Sequence, residues 1–203
     1  MSHSLSTAAP EHTTPSPAPA GAAPDPILLE LVDPNGATTG VAEKLSAHRS
    51  PGILHRAFSV FLVDGDGRLL LQRRALGKYH SPGVWSNTCC GHPYPQERPL
   101  IAALRRVGEE LGAAPALLRE AGTVTYRHPD PASGLVEHEF NHLFVGRLDV
   151  PSDPDPDEVA QVRAVGPGEL EELRAAEPFS VWFTTVWDAA RPQVRDLVPG
   201  AGW

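Results

Sequence analysis

Several things are scarce in this chain, and each scarcity narrows what it can be. There is no long basic run and the formal net charge is -8, so nucleic acid is excluded as an expected partner. No apolar stretch approaches the roughly 20 residues that span a bilayer, so no membrane association is expected. The first residues lack a basic start followed by an apolar run, so no secretory signal is expected either. Cysteine is limited to two neighbours, Cys89 and Cys90. A disulfide between adjacent cysteines would close a strained ring, so a reducing, cytoplasmic compartment is expected. Lysine is scarce beside 15 arginines, with only Lys44 and Lys78 in the whole chain. Either chance explains this, or lysine is kept where a compact ammonium is wanted.

What remains suffices for one ordinary domain: 203 residues, 41% of them hydrophobic. Residues 1–24, rich in Ser, Thr, Ala and Pro, lack the apolar content to offset ordering entropy and are expected to be a disordered tail. Residues 25–203 are expected to form a single domain. Ile27 to Val32 reads as a strand ending in the turn Asp33-Pro34-Asn35-Gly36. Ala57 to Val63 and Arg68 to Arg73 flank Asp64-Gly65-Asp66-Gly67, a strong hairpin signal. A Pro/Gly-rich loop from Gly77 to Pro95 carries both cysteines.

A helix follows, with Pro99 suited to its first turn and Gly112 to its C-terminal end. Leu100, Leu104, Val107 and Leu111 recur at helical spacing and predict its core face. Glu109 and Glu110 stand in the last turn, where the helix dipole disfavours anions; pairing to Arg105 and Arg106 at a solvated end is the ordinary explanation. Thr123 to Tyr126, Leu135 to Leu148 and Val159 to Val165 read as strands, and Glu169 to Ala176 and Phe179 to Ala190 as helices. This irregular mixture predicts an α+β fold rather than a repeating βαβ sheet.

The chemistry gathers in a few places. Glu137 and Glu139 are two apart in a predicted strand and so share one face, where they repel unless a cation or proton lies between them. A solvent-facing strand edge is the commoner setting for such a pair. His48, His55 and His92 with these glutamates make three imidazoles and two carboxylates. That mixture suits a divalent first-row metal better than Mg²⁺, which prefers oxygen. Cys90, beside Gly91 and His92, is a thiol whose pKa a neighbouring metal ligand could perturb; an isolated cysteine is more often inert and buried.

From Gly91 the chain runs through Glu97 to Arg105-Arg106-Val107-Gly108-Glu109-Glu110-Leu111-Gly112. This spacing resembles the Nudix motif, in which a loop and helix hold a divalent cation against a diphosphate. Where Nudix hydrolases carry a glutamate after the arginine, this chain has Arg106, which replaces a metal-binding carboxylate with a phosphate donor.

Glu43-Lys44-Leu45-Ser46-Ala47-His48, Leu54-His55-Arg56-Ala57-Phe58-Ser59, Gln72 to Lys78, Pro82 to Pro93, Glu137-His138-Glu139 and Phe179-Ser180-Val181-Trp182 occur in order around this motif. On these segments the chain resembles the type I isopentenyl-diphosphate isomerases, divergent members of the Nudix superfamily. The resemblance spans about Ile27 to Ala190. It implies a Nudix-type mixed β-sheet sandwiched between α-helices, with a Nudix-like core over about residues 54–188. It also implies isomerisation of isopentenyl diphosphate to dimethylallyl diphosphate, by protonation and deprotonation, in isoprenoid biosynthesis.

Position by position, the resemblance makes Cys90 and Glu139 the catalytic acid/base pair, with Tyr126 assisting Glu139. His48, His55, His92, Glu137 and Glu139 become ligands of one divalent metal, Mn²⁺, Zn²⁺ or Mg²⁺. Glu110 becomes the ligand of a second, diphosphate-linked Mg²⁺. Lys44, Arg74, Lys78 and Arg106 become the diphosphate-binding set, and Trp182 the aromatic residue beside the hydrocarbon. Both lysines of the chain thus fall on diphosphate positions. The implied partner is a small homoallylic or allylic diphosphate, and a monomer is expected. Two other readings compete: a Nudix-type diphosphate hydrolase, which Arg106 and Cys90 speak against, and a metal-stabilised binding module, which leaves Cys90 and the basic set without a use.

Overall fold

The computed structural model describes residues 26–78 and 80–203; the tail expected over residues 1–24 lies outside the described residues. The first hairpin pairs β1 (Leu28–Val32) with β2 (Thr38–Glu43). Its turn closes because Asp33 Oδ1 accepts from the main-chain N–H groups of Asn35 and Ala37, at 2.8 and 2.9 Å. Glu43 then caps the short α1 (Lys44–His48), its carboxylate accepting from the N–H groups of Leu45 and Ser46. Neither β2 nor α1 is visible as a periodicity in the sequence.

β3 (His55–Val63) is the axis of the sheet. The expected hairpin joins it to β4 (Leu69–Arg74). β5 (Trp85–Ser86) and β6 (Cys89–Gly91) are short strands within the Pro/Gly-rich loop. They precede α2 (Pro99–Leu111), β7 (Leu117–Asp130), β8 (Leu135–Arg147), β9 (Val159–Val165), α3 (Pro167–Ala176) and α4 (Phe183–Leu197). Among the described residues the nine strands form one sheet. β3 runs parallel to β8 and antiparallel to β1, β4 and β6, so the sheet is mixed as expected.

Side chains alternate across this sheet and divide the core in two. Phe58, Val60 and Leu62 of β3 pack with Phe144, Cys89 and the buried side of α2. Phe61 and Val63 pack on the other face with Leu143, Val145, α3 and α4. The sheet is therefore sandwiched between helices. Among the described residues no helix is long and apolar enough to cross a membrane.

Three expectations are not met. The core face of α2 is Ala102, Ala103, Val107, Glu110 and Leu111, whereas Leu104 is 39% exposed. Small alanines let the helix sit close to the sheet, and this turns the leucine stripe partly outward. Glu110 is drawn inward by the side chains of Gln72 and Arg106 instead of standing at a solvated end. The last helix starts at Phe183 rather than Phe179, because residues 178–180 are extended against β5. Trp85 N–H donates to Pro178 O at 3.0 Å and Ser180 N–H to Trp85 O at 2.8 Å. It continues past Pro192 to Leu197, with Val194 buried in the core.

Gly112 ends α2 in the left-handed conformation, φ 60°, and a Cβ there would stand 2.5 Å from the carbonyl oxygen of Asp153. Gly112→Ala is therefore expected to destabilise the fold by at least about 1–2 kcal/mol in urea denaturation. An unchanged midpoint would show that the loop after α2 yields without cost.

Candidate active site

The register of β3 explains how the site is assembled. Ser59 pairs with Cys90 on one edge and Leu143 on the other, and His55 pairs with Leu31 and Glu139. His55, Ser59, Cys90, Glu139 and Asn141 consequently share the face whose farther end holds Phe61, Leu143 and Val145. Cys89, one residue away, turns to the opposite face and is fully buried there. The doubled cysteine is thus resolved by strand alternation. Cys90 lines a cavity of about 180 Å³, together with Tyr126, Glu137, Glu139, Trp182 and the basic set Lys44, Arg74, Lys78 and Arg106.

His48, His55, His92, Glu137 and Glu139 converge, their donor atoms all lying within 4.8 Å of one another. Hydrogen bonds on the outer side of the cluster set two of the imidazoles. His48 Nδ1 lies 2.7 Å from Lys44 O and His55 Nδ1 lies 2.8 Å from Ile53 O. A carbonyl only accepts, so each Nδ1 carries the hydrogen and each Nε2 presents a lone pair inward. His48 Nε2 is buried without a hydrogen-bond partner, 3.2 Å from Glu137 Oε2. His55 Nε2 faces His92 Nε2 at 3.2 Å, and Glu139 Oε1 lies 3.2 Å from His92 Nε2. Lone pairs and carboxylate oxygens turned toward one point are arranged to receive a cation, so this cluster could hold a divalent metal.

Electrostatics give the same answer. Burial, then repulsion from Glu137, raises the Glu139 carboxyl to about 8. Burial works against the Glu137 carboxylate as well, but the imidazoles of His48 and His80 hold it well below the ordinary range. Burial lowers His55 to about 4 and His92 well below the usual histidine value, which keeps both rings neutral and able to ligate.

Glu139 is also held from behind. Its Oε2 accepts from Tyr126 Oη and, at 2.9 Å, from Asn141 Nδ2. Tyr126 stands directly opposite Glu139 in the β7–β8 register, which places its phenol at this carboxylate. Burial raises the Cys90 thiol to about 12, despite the opposing influence of Arg74, so Cys90 is a protonated thiol near neutrality.

α2 reaches the cavity from the other side. Glu110 is buried, accepting from Gln72 Nε2 at 3.0 Å and from Arg106. Glu158 binds both Lys78 and Arg106. The other two carboxylates of the Nudix spacing are engaged elsewhere: Glu97 with Arg105 at 2.8 Å, and Glu109 with Arg105 and Arg106. Arg74 stands 5.4 Å over the Trp182 indole, whose Nε1 donates to Asn87 Oδ1 at 3.2 Å.

Every residue to which the resemblance gives a site role lies at the cavity or in the cluster behind it, whereas Cys89, Glu97 and Glu109 lie outside both. Asn141, Glu158 and His80 were not foreseen. Asn141 lies two residues beyond Glu139, so extending the strand alternation one step would have found it. Glu158 and His80 sit outside regular elements, where no periodicity marks them.

Residues 53–184 match the NUDIX domain. Over 178 residues the chain is 68% identical to an isopentenyl-diphosphate Delta-isomerase of Streptomyces griseus, covering 87% of this chain and 90% of that protein. Identity to an isopentenyl-diphosphate Delta-isomerase of Burkholderia multivorans is 51% over 157 residues, 76% of this chain and 88% of the relative. A crystal structure from Deinococcus radiodurans superposes with TM-score 0.64 at 19% identity, over 81% of this chain and 98% of that one. This last likeness speaks for the fold alone.

Two measurements check this geometry. Chelator-stripped protein is expected to bind one Co²⁺ with an imidazole-type absorption spectrum, and His48→Ala to weaken that binding more than about 100-fold; equal affinity would remove His48 from the cluster. Iodoacetamide should alkylate Cys90 at a rate rising about tenfold per pH unit up to about pH 10, since only the thiolate reacts. Levelling near pH 8.5 would reveal an ordinary exposed thiol.

Proposed function

The chain belongs to the Nudix superfamily and, within it, to the isopentenyl-diphosphate Delta-isomerases, and from this membership we propose that it converts isopentenyl diphosphate to dimethylallyl diphosphate by moving one double bond. Within the site, the observation that supports this reading is the placement of Cys90 and Glu139. They face one cavity from strands on opposite edges of β3, with a basic set lining the same cavity.

The reaction adds a proton at one end of an unactivated alkene and removes another from the neighbouring carbon on the far side. It needs an acid and a base on opposite sides of a small hydrocarbon, with water kept away from the positive charge between them. Cys90 and Glu139 take these two roles. Tyr126 and Asn141 fix Glu139 Oε2 and leave its other oxygen toward the imidazoles. The Trp182 indole, locked at its edge by Asn87, offers a π face to developing positive charge, a contact worth about 2 kcal/mol or more when desolvated. Lys44, Arg74, Lys78 and Arg106 bind the diphosphate, and that remote binding energy positions the hydrocarbon.

His48, His55, His92, Glu137 and Glu139 would hold one divalent metal, Mn²⁺, Zn²⁺ or Mg²⁺, and Glu110 a diphosphate-linked Mg²⁺. When bound, these ions supply positive charge that keeps the carboxylates ionised and neutralises phosphate oxygens. Diphosphate hydrolysis is disfavoured because Glu97 and Glu109 are bound up with Arg105 and Arg106. Two free cysteines accord with a cytoplasmic setting.

Incubation with isopentenyl diphosphate and Mg²⁺ is expected to yield the acid-labile allylic isomer without release of phosphate. Phosphate release without the isomer would favour the hydrolase reading. Cys90→Ala and Glu139→Gln should each lower kcat by about 10²–10⁴-fold or more while diphosphate binding persists. Cys89→Ala should stay within a few-fold of the parent, because that side chain packs on the opposite face; its complete loss of activity would reverse the assignment.

A further inference from the structure

His80 lies outside the five converging donors, yet it touches three parts of the site. It is 7% exposed. Its Nδ1 lies 3.1 Å from Glu137 Oε1, the oxygen turned away from His48. Its ring stacks on His48 at 5.7 Å between centroids, 28° from parallel, and meets the edge of Trp182 at 6.1 Å. Its main-chain carbonyl accepts from the Arg74 guanidinium at 3.1 Å, beside a second bond from Arg74 Nε to Ser81 O at 3.0 Å. Ser81, held at φ 47°, is anchored in turn by its hydroxyl to Asp130 Oδ2 at 3.1 Å. The backbone that presents the imidazole is therefore pinned at residues 80 and 81, by Arg74 and by Asp130 of β7.

A ligating carboxylate with one unrestrained oxygen can rotate about its last torsion. Ligating groups are usually fixed by a partner on their outer side, and loss of that partner typically costs about 10–100-fold in metal affinity. The geometry points to His80 as a positioning residue. Its ring packs against Glu137 Oε1 and limits rotation of that carboxylate, so that Oε2 stays toward His48 and the metal cluster, and the same segment holds Arg74 toward the cavity. This inference rests on the reading of the five-residue cluster as a metal site. It adds a sixth residue, one that binds no metal itself.

The test uses the full chain, stripped of metal, with Mn²⁺ binding followed by calorimetry. His80→Ala is expected to bind Mn²⁺ about 10–100-fold more weakly than the parent. His80→Asn places an amide N–H near the position of Nδ1 and is expected to recover most of the loss. The melting temperature without metal should be nearly the same for all three proteins, and its rise on adding Mn²⁺ smaller for His80→Ala. Parental affinity in His80→Ala would overturn the role given to His80, as would equal weakening in both variants. A parent chain that binds no Mn²⁺ would instead overturn the reading of the cluster.

Discussion

Glu137 and Glu139 stand two residues apart on one buried strand face, and the cost of that arrangement shapes their surroundings. Two carboxylates confined together in a region poor in water cannot both be ionised unless positive charge lies between them. His48 and His55 are turned by main-chain carbonyls so that their Nε2 atoms face inward, His48 standing 3.2 Å from Glu137. Tyr126 and Asn141 occupy the other side of Glu139. His48 and His80 favour the ionised form of Glu137, and Tyr126 and Asn141 that of Glu139, while burial and mutual repulsion work against them; a cation among the five donors would relieve both.

The Nudix spacing is kept in this chain with its carboxylates engaged by arginines. The loop-helix unit keeps the glutamates of the pattern, but two of them are spent on guanidinium groups at the surface of α2. Only Glu110 turns inward, held by Gln72 and Arg106. Arg106 stands where the Nudix pattern has a carboxylate and binds Glu109, Glu110 and Glu158. Cys90 and Glu139 lie on the sheet face opposite the one that packs against α2.

Much of this could be read from the sequence, for identifiable reasons. The β3–β4 hairpin, the ends of α2 and the shared face of Glu137 and Glu139 follow from local rules of turn, cap and alternation. The convergence of His48, His55 and His92 does not, because it depends on how β3 meets β8 and on a five-residue helix with no periodicity of its own. The resemblance supplied that information. Where local patterning failed, tertiary packing had overruled it: Leu104 fits the helical stripe yet is displaced by two alanines that allow closer approach, and Phe179 is held extended by the main chain of Trp85. The resemblance picks Cys90 over Cys89, and the register at Ser59 supplies the physical reason, since it turns Cys90 to the cavity and Cys89 to the opposite face.

The parallel pairing of β3 with β8 has a kinetic meaning. His55 and Glu139 become neighbours only when segments separated by much of the chain have come together, and such contacts carry a large loop-closure cost before they give anything back. The hairpins β1–β2, β3–β4 and β7–β8 can form from local sequence, but the first contains none of the donor set, the second only His55 and the third only Glu137 and Glu139. A nascent or partly folded chain thus offers no complete cage to a passing ion. The donor set is complete only where the central β3–β8 pairing brings these segments together.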